Sequence, residues 1–167
     1  LPGPGLGSVP ERASRAREVQ EACEGCHVDI AAEWRASFHA RSFTNAAFQA
    51  SLAEENLPFC RRCHAPEAPP ETWPPEHLAA IGVGCATCHL AGYAILAAPA
   101  TSPEAPPRES PHAVVRDARF ATEAACAGCH EFQVPAPATG GTPEKMQLTI
   151  TEHEVSSYSD TACADYH

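Results

Sequence analysis

Four times the chain writes Cys, two residues, Cys, His: Cys23-Glu24-Gly25-Cys26-His27, Cys60-Arg61-Arg62-Cys63-His64, Cys85-Ala86-Thr87-Cys88-His89 and Cys126-Ala127-Gly128-Cys129-His130. Two thiols three positions apart stand on one side of a helical turn, where they reach the two vinyl groups of a single porphyrin. The imidazole that follows then lies under the iron. This is the attachment sequence of c-type haem, and four copies in 167 residues are hard to obtain by accident. Pairs of Cys-x-x-Cys also build zinc sites, and a single pair can be a redox disulfide. A four-thiolate zinc site gives no role to a His after every second Cys, and four redox disulfides serve no evident purpose. The cofactor expectation is four haem c groups with their iron. Cys23, Cys26, Cys60, Cys63, Cys85, Cys88, Cys126 and Cys129 hold them, and His27, His64, His89 and His130 are the proximal ligands.

Nine histidines leave five beyond the motifs: His39, His77, His112, His153 and His167. Four irons need at most four distal ligands, so His39, His77, His112 and His153 suffice for bis-histidine coordination throughout. Iron with two imidazoles has no open position and stays low-spin, which favours electron transfer over catalysis, and no residue is assigned a catalytic role. The bland reading of each spare His is a solvated surface residue. Against it, His39 follows Trp34 and Phe38, which share a helical face. His112 sits after Pro111 in the loop between the third and fourth motifs, His153 lies in a final helix, and His77 is flanked by Pro75 and Glu76. His39, a dozen residues past the first motif, would have to round the porphyrin edge to reach that haem's far face, so it is expected to serve another haem. Met146 is the one methionine and a weak axial candidate beside so many imidazoles.

The elements that must position these groups read as short helices in irregular chain. Residues 1–10, with three prolines and three glycines, form an extended arm. Helical patterns cover Glu11–Ala22, Ile30–Phe38 and Asn45–Glu55, with a short turn at Glu76–Ala80 before the Gly82-Val83-Gly84 break. Five prolines in residues 65–75 and more in 97–111 forbid regular structure there. Thr122 caps a short helix into Cys126, and Thr151 with Glu154 forms a capping box for the last helix. Strand signals are nearly absent, apart from Met146–Ile150. The fold expected is mainly α with much irregular loop, one domain over residues 1–167 wrapped around a chain of closely packed haems.

Composition agrees. Aromatics are 7% of the chain and there is one Met, so side chains alone make a thin core, and porphyrins are expected to supply most of the buried apolar surface. The formal charge of −10 argues against a nucleic-acid partner. No apolar run approaches the length that spans a bilayer, and residues 1–9 carry no cleavable leader pattern. Covalent haem attachment takes place outside the cytoplasm, so a soluble, secreted protein of the periplasm or extracellular space is expected.

Together these motifs resemble the tetrahaem cytochrome c family of nitrifying bacteria that accepts electrons from hydroxylamine oxidoreductase, and the wider multihaem group around it. The likeness rests on Cys23–His27 followed by Trp34 and His39-Ala40, on Gly82-Val83-Gly84-Cys85 opening the third motif, on the loop His112 and on the late His153. It covers roughly residues 20–155 and implies haems packed edge to edge, mostly bis-histidine, in an α-helical fold. Relatives of this kind can leave the second haem without a distal ligand, whereas here His77 offers one nearby.

The tail Cys163-Ala164-Asp165-Tyr166-His167 reads as a fifth attachment site with Tyr in place of the second Cys. It is a remnant, a single-thioether site, or a thiol left free or for an intermolecular disulfide. The function expected is electron transfer by tunnelling between closely spaced haems, with redox proteins as partners. A homopolymer is the further expectation, as in extracellular filaments of four-haem subunits that share a distal His between copies, with the arm contacting a neighbour. The alternative is a haem reductase of a small nitrogen compound, which needs one open iron. A haem-based sensor lacks an output domain.

Overall fold

The computed structural model describes residues 9–91, 94–99, 111–134, 141 and 144–163. Of these described residues about 52% are helical and 14% strand, with irregular loops and small sheets. The described residues fall into two compact units, one ending with Leu90–Ala91 and the other beginning at Ala94.

The first unit is helical: α1 (Val9–Cys26), α2 (Val28–Ala36), α3 (Ala46–Glu54), α4 (Pro58–His64), α5 (Glu76–Ile81) and α6 (Cys85–His89), ending in the short strand β1 (Leu90–Ala91). Helix α1 packs on α2, α5 and α6. It begins at Val9, two residues earlier than the pattern predicts, with Pro10 in the first turn where its missing N–H costs nothing; the rest of the expected arm lies outside the described residues. Asn45 caps α3 by accepting from the backbone N–H of Ala47 at 3.0 Å and of Phe48 at 3.2 Å. Pro58 opens α4 at its first turn.

Two small apolar clusters hold this unit. Ala16, Ala68, Leu78 and Ile81 form one with Ala13 and Trp34 against it, and Phe43, Leu52, Ala65 and Ala79 form the other with Phe48 and Cys60. Half of the buried members are alanine, so each cluster removes little apolar area from water. The proline-rich stretch after α4 has no regular structure, as expected, yet Ala65, Glu67 and Ala68 within it are 1%, 1% and 3% exposed. Its backbone is tied inward by the buried Arg61, whose Nε donates to the Pro70 carbonyl at 2.7 Å.

The second unit differs from the reading of the sequence. Strands β2 (Ala94–Ala97) and β3 (Val114–Arg116) pair in parallel, Ile95 opposite Val114 and Leu96 opposite Val115. After two 3₁₀ turns, Ala118–Ala121 and Glu123–Ala125, come α7 (Ala127–His130), β4 (Glu131–Val134), β5 (Glu144–Leu148) and α8 (Thr149–Glu154). Strands β4 and β5 are antiparallel, with an irregularity between Phe132 and Gln133. Each strand is at most five residues long, too short for an alternating pattern to stand out. The one strand the sequence suggests, Met146–Ile150, exists two residues earlier, because Thr149 and Ile150 enter α8.

The capping box at Thr151 does not form. Thr151 lies inside α8, and the helix start is satisfied from across the unit: the Glu131 carboxylate accepts from the Thr151 hydroxyl at 2.7 Å and its backbone N–H at 3.2 Å. Thr122 does cap its turn, accepting from the Ala124 N–H at 3.3 Å. Among the described residues of this unit Leu96 is the one buried apolar side chain. Peptide packing alone gives it almost no core.

Candidate cofactor-attachment sites

Each Cys-x-x-Cys-His motif lies on a single helical turn. The first closes α1 with His27 as the N-cap of α2, the second is the body of α4, the third is the whole of α6, and the fourth runs from the N-cap Cys126 through α7. The two sulfurs of each pair therefore share a helix face. None of the nine cysteines, all of them among the described residues, is in a disulfide. Cys26, Cys88 and Cys126 are exposed and the others half-buried, so the pairs sit at the surface of the peptide.

The first and third motifs are neighbours. The Cys23 thiol interacts with that of Cys85, and the buried Gln20 joins the two helices, its Oε1 accepting from the Cys85 N–H at 2.9 Å while its Nε2 donates to Glu24 at 2.9 Å. Arg35 on α2 also pairs with Glu24. Burial pushes the Cys85 thiol up to about 11, with Cys23 beside it adding to the effect. Burial likewise raises Cys23 and Cys60. These sulfurs stay protonated at neutral pH, which suits thiols that become neutral thioethers better than metal thiolates.

The second motif shows how an imidazole is prepared for iron. His64 Nδ1 lies 2.7 Å from the Ser42 carbonyl. A carbonyl only accepts, so Nδ1 carries the proton and Nε2 keeps its lone pair for a metal. Ser42 returns the contact by donating its hydroxyl to the His64 carbonyl at 2.9 Å, and the Phe48 ring stacks on the imidazole at 3.6 Å. Burial lowers the His64 pKa, opposed by the Ser42 carbonyl, so the ring is held neutral, the form that ligates.

His39 stands in the turn after α2, where its carbonyl accepts from the Val83 N–H at 3.0 Å. That bond ties it to the segment opening the third motif. His77 lies in the first turn of α5 beside an open cleft of about 280 Å³ that Gln20, Glu24 and Trp34 also line. His112 and His153 are half-buried in the second unit, His153 in the last turn of α8. Met146 is exposed on β5, and His167 lies outside the described residues.

Next to His27 and His39 in the chain, Val28, Ile30 and Phe38 are 61%, 62% and 74% exposed. Haem fits the donor set: paired thiols on one helix face, each followed by an imidazole.

Several positioning residues escape sequence reasoning. Gln20, Arg61, Glu67 and Thr87 are all buried, and the Thr87 hydroxyl donates to Glu67 at 2.7 Å, joining the third motif to the loop after the second. Arg61 and Thr87 are spacer residues of their motifs, which was the one signal that could have found them. Ser42, Gln20 and Glu67 carry none.

Residues 22–90 match the family model for cytochrome c554 and c-prime. The stretch holds the first three motifs and leaves the fourth outside it. That part of the chain is similar to a family of c-type cytochromes. No curated protein and no solved structure matches the chain.

Proposed function

We propose that the chain is an electron-transfer protein of the periplasm or extracellular space carrying four haem c groups. They are attached through Cys23 and Cys26, Cys60 and Cys63, Cys85 and Cys88, and Cys126 and Cys129. His27, His64, His89 and His130 are the proximal ligands, and His39, His77, His112 and His153 the candidate distal ones. The observation that carries this reading is that all four motifs fold as single helical turns, which puts both sulfurs of each pair on one face.

Bound haem supplies one-electron chemistry at its iron. The chain's own work is to fix each ring and to keep water from the metal. Ser42 holds His64 in the ligating tautomer, Gln20 and Glu24 hold the first and third motifs side by side, and Glu67 with Thr87 braces the second against the third. Among the described residues no helix is long and apolar enough to cross a membrane. Partners are then other redox proteins, met through an acidic surface. Electron paramagnetic resonance of the oxidised protein tests the reading by counting haem irons, low-spin and high-spin together: four are expected, and a protein without haem signals refutes it.

A second reading has its own observation. The first unit holds three motifs but only two further histidines, His39 and His77, so one of its irons lacks a distal imidazole from that unit. This favours one open haem able to reduce a small nitrogen compound. A high-spin ferric signal that shifts on adding cyanide selects this reading. The homopolymer in which copies share a distal His supplies the missing ligand instead; light scattering that shows only monomer while every iron is six-coordinate contradicts it.

A further inference from the structure

The second unit brings together three potential ligands that do not belong to any Cys-x-x-Cys-His motif. One carboxylate oxygen of Glu123, one ring nitrogen of His153 and the sulfur of Cys163 all lie within 4.8 Å of one another. Each is half-buried. They come from positions 123, 153 and 163, so the grouping follows from the fold rather than from proximity in the chain.

Each member is held by local bonds of its own. Glu123 opens a 3₁₀ turn capped by Thr122, whose hydroxyl also donates to the Arg119 carbonyl at 3.2 Å. His153 sits on α8, whose start is fixed by Glu131 and whose end is fixed by the Ser156 hydroxyl donating to the His153 carbonyl at 2.8 Å. Cys163 follows a turn closed by the Thr161 N–H donating to the Tyr158 carbonyl at 2.9 Å.

We propose that Glu123, His153 and Cys163 form a binding site for a divalent cation of the zinc class, separate from the haem irons. The donor set selects the metal: a thiolate and an imidazole suit zinc, whereas magnesium and calcium take oxygen ligands. Tetrahedral zinc with bonds of about 2.0 to 2.3 Å places its ligand atoms roughly 3.5 Å apart, so side-chain rotation closes the remaining gap. Two anionic ligands neutralise the ion, and the fourth position is left to water. Cys163, the first Cys of the degenerate fifth motif, then has a use that needs no second Cys.

The site also divides the histidines of this unit. His153 goes to the cation instead of an iron, and His112 is left as the distal imidazole for the iron attached at Cys126 and Cys129; His39, His77 and His112 then serve four irons and one iron is left open, an assignment that rests on the haem reading above. Cys126 lies near enough to Cys163 for their charges to interact, but its sulfur is committed to the porphyrin.

The test uses the full-length, haem-loaded protein with Cys163 reduced, and zinc ion as the probe. X-ray absorption at the zinc edge does not register haem iron. One zinc per chain surviving desalting is expected, with one sulfur at about 2.3 Å in its shell. Cys163→Ser loses that sulfur and weakens binding at least tenfold, and Glu123→Gln weakens it too. Neither changes the low-spin haem signals. Zinc lost on desalting, or a shell without sulfur, overturns the proposal. A failure of the haem reading shows separately, as a missing haemochrome band.

Discussion

Gly82→Ala should be far more damaging than a one-carbon change suggests. Gly82 ends α5 at φ 60° and ψ −125°, a conformation that costs an L-residue about 1–3 kcal/mol. An added Cβ would lie 2.5 Å from the His39 carbonyl oxygen, 2.6 Å from Ser42 Oγ and 3.0 Å from the Ala40 carbonyl oxygen. Two of these atoms are backbone and cannot swing aside, so overpacking adds about 1–3 kcal/mol. The sum is about 2–6 kcal/mol, which lowers Tm by at least about 8 °C in a unit of this size. The clash also pushes on two candidate-site residues at once, His39 itself and Ser42, which orients His64. Gly25→Ala is the control: Gly25 lies within α1, a Cβ there would meet nothing within 4 Å, and the change is expected to be neutral or to stabilise by about 0.5–1 kcal/mol. Thermal unfolding followed by circular dichroism, with paramagnetic resonance of the same samples, compares the two. Equal melting temperatures and unchanged iron signals would refute the packing argument.

Three further outcomes follow from single contacts. Thr87→Val removes the hydroxyl donated to the buried Glu67 carboxylate and should destabilise the first unit by about 1–3 kcal/mol, whereas Thr87→Ser is nearly neutral in denaturant melts. Trp34→Phe deletes the indole N–H that donates to the Val83 carbonyl at 2.8 Å; a loss of about 0.5–1.5 kcal/mol is expected by the same assay. The Thr151 hydroxyl, then its backbone N–H, holds the Glu131 carboxyl below the usual range. Its contribution is therefore full above the unfolded-state pKa and is lost as pH falls through the lower folded value. The protection factors of the α8 amides in hydrogen exchange should fall on acidification in the wild type and show less pH dependence in Glu131→Gln.

Helices α1, α2, α3 and α5 of the first unit are legible because their signals are local. Asn45 before an apolar run and the Gly82 break each mark a boundary without help from the rest of the chain. The four motifs are legible for the same reason, since five adjacent residues carry the whole pattern. What escapes is anything set by distant partners. Glu131 replaces the local capping box of α8 because the β4–β5 pairing brings it to the helix start. The parallel pairing of Ile95 and Val114 spans a long connection, and neither segment alone has more than a few apolar residues to announce it. Gln20 and Glu67 are polar residues that sequence alone places at the surface, yet both are buried because each meets a partner dozens of positions or a whole motif away. The convergence of Glu123, His153 and Cys163 is invisible for the same reason.

The most direct measurement is the intact mass of the denatured protein, with proteolytic peptides to place the additions. Four haem groups per chain, one on each Cys pair of the four motifs and none on Cys163, is the predicted result. The mass of the bare polypeptide, or haem that leaves on denaturation, would contradict it.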